Sequence, residues 1–390
     1  MPYRLEDGKP IKYTLTFEEV LHTIREQNIK FVNLQFSDIM GRMKQVSIPS
    51  YKFDLNSMRE GFNKLDGSSI RGFSTIEDSD LVLLPDPSTF AVLPWTSGVG
   101  MARMIADVYM GMERGRLVTD PRWIAQRAEN YLTDTLGLKS FWGPEVEFFV
   151  FDHVDWNTNL PFAGQSYEIE SREAPWSDYS HKMGLKDGYY SVPPSDTLEE
   201  YRTAVSIYLE AFGILTEAHH HEVATAGQVE INIYRDTLTA TGDTVMTLKY
   251  VAKIAAQERG MTATFMPKPL FGDNASGMHV HVSLWDEGRN IFYDEADEYA
   301  ELSQAGRYFI GGLLEHSRSL AAIVAPTTNS YKRLVPGYEA PVYIAWSKAN
   351  RSANVRIPAY LKKRFDMKRV EFRTPDPSCN PYLAFAAILM

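Results

Sequence analysis

Apolar and polar residues alternate along four short stretches of the chain: Gly143-Pro144-Glu145-Val146-Glu147-Phe148-Phe149, Gln228-Val229-Glu230-Ile231-Asn232, Met278-His279-Val280-His281-Val282-Ser283 and Arg369-Val370-Glu371-Phe372-Arg373. Successive side chains of a strand point to opposite faces. Val146, Phe148, Ile231, Val280, Val282, Val370 and Phe372 can therefore share a core face, and the acids, histidines and arginines share the other. A solvent face usually carries Lys, Thr and Ser. A recurring set of Glu, His and Arg reads instead as the lining of a charged, ligand-filled barrel.

Helical periodicity fills much of the remainder. Thr16 to Glu19 has capping-box spacing, followed by Phe17, Val20, Leu21 and Ile24 on one face. Phe31 to Phe36 and Met43 to Ile48 read as strands joined by a turn at Asp38 to Gly41. Arg114 to Pro121 reads as a boundary, and an amphipathic pattern follows from Trp123 to Leu136. Beyond the strand at Trp142 to Phe151 comes a loop-rich stretch to Pro194. Leu198, Tyr201, Val205, Tyr208, Leu209 and Phe212 then fall on one face of a helix ending near Gly213. Further helices are predicted at Asp243 to Arg259 and Asp297 to Val324, and a functional loop region from Asn329 to Pro358. There is no internal repeat. The expected architecture is α+β, in two domains, residues 1–115 and 116–390.

Composition narrows the function. The 390 residues exceed what one core usually supports, and the net charge of −10 argues against nucleic acid or an anionic membrane as partner. The single cysteine, Cys379, excludes an intrachain disulfide framework and a thiolate zinc site. It fits a cytoplasmic location, as does the absence of a signal-peptide pattern in Met1 to Pro10. No apolar run approaches the roughly 20 residues of a membrane span.

Glu145, Glu147, Glu222, Glu230, Glu371 and His279 make a hard, oxygen-dominated donor set if they converge, suited to Mg²⁺ or Mn²⁺ rather than Zn²⁺ or Cu²⁺. Any one Glu alone is better read as part of a structural salt bridge; Glu145 and Glu147 on one face of an apolar strand are not. Arg333, Arg351, Arg356, Arg369 and Arg373 supply planar guanidinium groups suited to carboxylate and phosphate. Beside Glu339 and Glu371 they favour a phosphoryl-transfer site. No G-x-x-x-x-G-K-[ST] loop occurs, and Gly98-Val99-Gly100 is too short for a dinucleotide fingerprint. The run His219, His220, His221 reads either as a metal tract or as strand-end packing with one ligand-contacting member.

Together with Leu65-Asp66-Gly67-Ser68-Ser69-Ile70, His219-His220-His221-Glu222-Val223-Ala224-Thr225-Ala226-Gly227-Gln228, Lys268 to His279, Asn329 to Glu339, Asn350-Arg351-Ser352-Ala353 and Asn380-Pro381-Tyr382-Leu383, these segments closely resemble class I glutamine synthetase along nearly the whole chain. The resemblance implies a small N-terminal β-grasp domain and a large C-terminal domain with a curved, funnel-like antiparallel sheet flanked by helices. It implies ATP-dependent joining of ammonia to L-glutamate through γ-glutamyl phosphate. Glu147, Glu222 and Glu230 would hold one Mg²⁺ or Mn²⁺, and Glu145, His279 and Glu371 the other, with a third ion accompanying ATP left open. Arg333 and Arg373 would hold glutamate, helped by Asn274 and Ala275. Arg351, Arg356 and Arg369 would contact the ATP phosphates, with His281 and Ser283 near the nucleotide. Asp66, Ser69, Tyr189, Glu222 and Glu339 would form the ammonium pocket, with Asp66 as base and Glu339 on a flap. The family assembles as a homo-oligomer, a dodecamer of two hexameric rings, with Asp66 and Ser69 acting across a subunit boundary.

Three departures bear on these expectations. Ala275 stands where most relatives carry glycine, which matters only if that residue needs a positive φ. The family pattern continues past Met390 into a segment that carries the adenylylated tyrosine in one subgroup. Thr75 stands where some feedback-inhibited relatives have arginine. The competing readings are a γ-glutamyl ligase for another amine and a non-catalytic structural relative. The intact Asp66, Tyr189 and Glu339 speak for ammonia, and the filled metal and phosphate positions speak against a silent relative.

Overall fold

The computed structural model describes residues 3–6, 9–12, 14–96, 98–111, 115–159, 162, 164–359 and 362–390. Arg114, at the start of the expected boundary, lies outside these residues, as do residues 1, 2, 7 and 8 of the stretch read for a signal peptide.

Thr16 caps the first helix, Phe17–Glu26, as its spacing predicts. The Thr16 hydroxyl accepts from the Glu19 amide at 3.3 Å, and the Glu19 carboxylate accepts from the Thr16 amide at 2.7 Å. Val20, Leu21 and Ile24 are buried against a five-stranded sheet. Its strand order is Met43–Pro49, Phe31–Ser37, Met101–Tyr109, Asp80–Val92 and Phe62–Asp66, and the pair Phe31–Ser37 with Met101–Tyr109 is parallel. The turn at Asp38 to Gly41 is present. Gly41 sits at φ +75, and a Cβ there would lie 2.8 Å from the Asn380 Cα, so both conformation and space require glycine. Asn380 in turn donates to the Asp38 carbonyl at 3.0 Å, tying the last helix, Pro381–Leu389, to the N-terminal sheet.

Among the described residues the second sheet has nine strands. Its main path runs Thr216–His221, Gln228–Ile233, Lys139–Phe151, Met278–Asp286, Val370–Phe372, Ala353–Ile357 and Tyr343–Lys348. Neighbours are antiparallel except the last pair, which is parallel, so the sheet is not antiparallel throughout. Val146, Phe148, Ile231, Val280, Val282, Val370 and Phe372 all lie in one core beneath it, as their alternation predicts. Helices Glu199–Ala211, Leu238–Gln257 and Pro381–Leu389 help close that core. Trp142 stacks on Phe385 at 5.4 Å, and the Tyr201 hydroxyl donates to the Ala252 carbonyl at 2.8 Å. Among the described residues no helix is long and apolar enough to cross a membrane.

A buried arginine joins the two sheets' surroundings. Arg122 donates to Asp107 and Asp86 at 2.6 Å each and to both oxygens of Asp243 at 2.9 Å. Burial opposes its charge, but the three carboxylates raise it well above its ordinary value.

Several expected elements differ in extent. The helix predicted from Asp243 begins earlier, at Leu238. The one predicted from Asp297 to Val324 is two helices, Gln304–Glu315 and Ser317–Val324. The Asp297 carboxylate accepts from the amides of Ala300 and Leu302 and so makes a turn; Ser303, bonded to the Gly306 amide at 3.1 Å, is the true cap. The loop-rich stretch before Pro194 contains a hairpin, His153–Asn157 with Ser166–Glu170. The region from Asn329 to Pro358 holds a short helix, Ser330–Arg333, and the two last strands of the large sheet.

Candidate active site

Strand register brings the polar side chains together in rows. His220 faces Glu230, which faces Glu147 on the central strand. Asn232 faces Glu145, which faces His279. His281 faces Glu371, which faces Arg356. The period of two places every one of these residues on the face opposite the core. Glu222 follows directly after the first strand and joins them.

Two donor clusters result. Ligand atoms of Glu145, His279 and Glu371 lie within 4.8 Å of one another, the set expected for one cation. In the other cluster His220, Glu222 and Glu230 meet that distance. Glu147, expected there, is turned toward the loop beyond: its Oε2 accepts from the Gly277 amide at 2.8 Å and from Gln228 at 3.3 Å. Gly277 leaves room for this arrangement, since a Cβ would lie 2.6 Å from the Arg333 Nη2 and 2.9 Å from the His279 Nε2.

The two clusters differ electrostatically. Burial opposes the charge of Glu145, but His281 at 2.9 Å and His279 at 3.3 Å hold its carboxyl well below the usual range. Burial likewise opposes Glu371, yet His281 and Arg373 bring it down to about 2. Across the sheet the balance reverses. Burial, then the Glu230 charge, pushes Glu147 up to about 8. Burial, then Glu147 and Glu230, raises Glu222 well above the carboxylate range. Burial lowers His220, but hydrogen bonding and charge from Glu230 outweigh it, so the imidazole is raised. Arg333, Arg373 and Arg351 offset only part of the burial and mutual repulsion at Glu147 and Glu222, and an oxygen-rich site short of positive charge fits a hard divalent cation.

Two cavities flank the clusters and share Glu145, Glu217 and Asn232 as their common wall. The smaller, about 260 Å³, is lined by His281, Ser283 and Arg369, three of the expected nucleotide contacts. The Arg369 Nε donates to His281 Nδ1 at 3.1 Å. The larger, about 520 Å³, is lined by Tyr189, Asn274, Ala275, His279, Arg333, Glu339, Arg351 and Arg373 as well as Glu145, Glu147, Glu222 and Glu230. Arg373 pairs with Glu371 and donates to the carbonyls of Arg351 and Glu339 at 3.0 and 3.3 Å. Arg333 is committed to the carbonyls of Thr374, Pro375 and Arg373. Arg356, expected at the phosphates, pairs with the other oxygen of Glu371 and lines neither cavity.

The loop expected to act as a flap lines the larger cavity through Tyr338, Glu339 and Ala340. Glu339 accepts from the Asn274 Nδ2 at 2.6 Å and sits at φ +55. Tyr338 beside it lies beneath the ammonium groups of Lys186 and Lys268, 4.3 and 3.9 Å from the ring centre. Ala275 has no positive φ, so alanine is accommodated there without backbone strain. Asp66 and Ser69 line neither cavity. Asp66 is exposed and accepts from the Ser68 and Ser69 hydroxyls at 2.7 and 2.8 Å, which lowers its carboxyl.

Sequence reasoning left open which of His219, His220 and His221 meets the site, and missed Lys186, Tyr338 and the wall residue Glu217. The parity of His220 with Glu222 was the available signal; Lys186 and Tyr338 meet only through tertiary packing.

A glutamine synthetase catalytic-domain profile matches residues 118–390, and a glutamine synthetase β-grasp profile matches residues 28–111. The chain belongs to the glutamine synthetase family. A glutamine synthetase of Sulfolobus acidocaldarius is 56% identical over 375 residues, covering 95% of this chain and 79% of the relative. One of Frankia alni is 46% identical over 382 residues, 96% of this chain and 79% of the relative. The cryo-EM structure of Plasmodium falciparum glutamine synthetase superposes with a TM-score of 0.89 at 29% identity, covering 96% of this chain and 74% of that one. The five-stranded sheet lies within the stretch matched as β-grasp, and the nine-stranded sheet within the catalytic one.

The charge imbalance has a measurable consequence. In metal-free protein the raised Glu147 favours the folded state below its unfolded pKa of about 4.5. That contribution is lost as pH rises through about 8. Adding Mg²⁺ or Mn²⁺ at pH 7 should therefore release protons and raise the melting temperature. Calorimetric titration in buffers of different ionisation enthalpy, with a parallel thermal melt, measures both. Binding without proton release, or a melt unchanged at millimolar cation, contradicts the assigned cation cluster.

Proposed function

We propose that the chain joins ammonia to the side-chain carboxylate of L-glutamate with ATP, giving L-glutamine, ADP and phosphate through γ-glutamyl phosphate. The observation that carries this reading is a pair of donor clusters beside two cavities, one cluster giving Glu145 to their shared wall and the other lining the larger cavity, with guanidinium groups in both cavities. Such a site brings a phosphoryl donor and a carboxylate acceptor to one acidic, cation-requiring junction.

Glu145, His279 and Glu371 hold one divalent ion, and Glu147, Glu222 and Glu230 a second, Mg²⁺ or Mn²⁺ in each. When bound, such ions neutralise the phosphate and carboxylate charges that otherwise repel each other. Arg369, His281 and Ser283 hold the triphosphate in the smaller cavity, with Arg356 contributing from its place on Glu371. Arg333, Arg373, Asn274 and the Ala275 backbone orient glutamate, and Arg351 at the mouth screens the γ-phosphate as the carboxylate attacks it. Tyr189, Glu222 and Glu339 receive ammonium, with Asp66 and Ser69 of a neighbouring subunit. Asp66 removes a proton, and the released ammonia attacks the acyl phosphate. Glu339 and its flap exclude water from that intermediate, which hydrolyses readily. Because Asp66 and Ser69 lie away from their own chain's cavities, the working unit is a homo-oligomer with sites between subunits, a dodecamer of two hexameric rings in the reading that fits the family.

The direct test is phosphate release from ATP and glutamate with ammonium or a series of amines. Glutamine should form with ammonium, and amide products of larger amines should be absent. In Glu339→Ala the glutamine formed per ATP should fall several-fold while both substrates still bind. An unchanged yield per ATP removes Glu339 from the mechanism, and turnover with a bulkier amine alone replaces ammonia as the acceptor.

The shared site has its own test. Asp66→Ala damages the small domain's contribution and Glu222→Gln the large domain's. Each variant alone should be nearly inactive. Random co-assembly at equal ratio leaves about a quarter of the interfaces with both halves intact in a closed ring. Co-assembled particles, verified by mass, that recover no activity mean that the site is built within one chain.

A further inference from the structure

The loop from Pro336 to Glu339 lies between the helix Ser330–Arg333 and the strand Tyr343–Lys348, and side chains from two other segments grip it. The Lys186 Nζ donates to the Gly337 carbonyl at 2.5 Å and lies 4.3 Å from the centre of the Tyr338 ring. The Lys268 Nζ lies 3.9 Å from the same centre and donates to the Asp273 carbonyl. The next residue along the loop, Glu339, accepts from Asn274, the neighbour of Asp273.

Both lysines stand on fixed backbone. Lys268 is buried, its amide donating to the Asn329 Oδ1 at 2.6 Å and its carbonyl accepting from the Asn329 Nδ2 at 3.0 Å. The Asp273 carboxylate gathers the amides of Thr225 and Asn274, each at 2.9 Å. On the other side, the Gly188 amide donates to the Val223 carbonyl and the Tyr190 amide to the His221 carbonyl, each at 3.1 Å. Lys186 adopts φ +60, a conformation uncommon for a residue with a side chain. Burial lowers the Lys268 amine, the Asp273 charge opposes that shift, and the Lys186 charge adds to it. Two ammonium groups brought together in this way repel, and the negative face of an aromatic ring offsets the repulsion. Tyr338 is therefore the element that lets both cations converge on the loop.

We propose that Lys186 and Lys268 are positioning residues for the amide-forming step: by gripping Tyr338 they set Glu339 against Asn274, so that the acyl phosphate meets ammonia before water. This inference rests on the function proposed above and deepens it, naming the groups that put Glu339 in place. Lys186 also lines the larger cavity, so direct contact with glutamate is the competing role.

Lys186 is exposed, so Lys186→Met tests the grip without opening the core. Glutamine formed per ATP should fall several-fold, with the KM values for ATP and glutamate nearly unchanged. Tyr338→Leu should act alike, and the double variant should lose little more than either alone. Lys186→Arg keeps a cation at the ring and should recover most of the yield. Lys182→Met removes a lysine of the same segment that donates instead to the Ser177 carbonyl at 2.8 Å, and should change nothing. A second reading needs no turnover: chymotrypsin should cut after Tyr338 several-fold faster in Lys186→Met than in the unmodified protein, at the same melting temperature. Unchanged cutting in Lys186→Met, or an unchanged yield in both single variants, overturns the proposal. A raised glutamate KM with normal yield also overturns it, because Lys186 is then a substrate ligand. If the unmodified protein forms no glutamine, the proposed function falls, and the cutting rate alone decides the grip on the loop.

Discussion

The rest of this structure depends on one electrostatic constraint: Glu145, Glu147, Glu222, Glu230 and Glu371 are gathered on one face of a sheet, away from bulk water. Like charges at such spacing repel strongly in a medium of low effective dielectric, and each carboxylate also resists losing its hydration. A fold that holds them must provide positive charge or leave a place for it. Histidines and arginines answer the first requirement on one side, where Glu371 is drawn down to about 2. On the other side Glu147 rises to about 8, which marks where charge is still needed.

That arrangement persists because the opposite face of the sheet is rigid. Val146, Phe148, Ile231, Val280, Val370 and Phe372 are each fully buried, and their packing against the helices fixes the register that sets the acids side by side. A slip of one residue in any of these strands would turn its acids into the core. The Arg122 cluster and the Asn380 contact extend the same rigidity to the N-terminal sheet, so Asp66 is held at a defined position relative to its own catalytic sheet. The Tyr338–Glu339 loop, by contrast, is held to its surroundings by a few polar and cation–π contacts.

What was legible in the sequence follows from this division. Strands with a strict period of two announce both of their faces, so the core residues and the acids or histidines of Lys139–Phe151, Gln228–Ile233 and Met278–Asp286 could be read directly. Thr16 was readable as a cap because its partner Glu19 is local. Tyr343–Lys348 was not readable as a strand, since it is a largely exposed edge with one parallel neighbour and no buried face to impose a pattern. Asp297 imitated a helix cap because its carboxylate gathers nearby amides in either structure. The divergent surroundings of His219, His220 and His221 depend on what the fold brings from Arg202, Glu230 and Glu173, which no local pattern contains. The commitment of Arg356 to Glu371 is of the same kind, set by register between two distant strands.

The claim at the centre of this account is that the acidic face activates the glutamate side chain by phosphorylating it. Glutamate labelled with oxygen-18 in its side-chain carboxylate tests that step directly. One labelled oxygen should appear in each phosphate released during turnover with ATP and ammonium, because the bond broken by ammonia leaves a carboxylate oxygen on phosphorus. Unlabelled phosphate accompanying glutamine would mean that the side chain was never phosphorylated, and the arrangement of clusters and cavities would need a different chemistry.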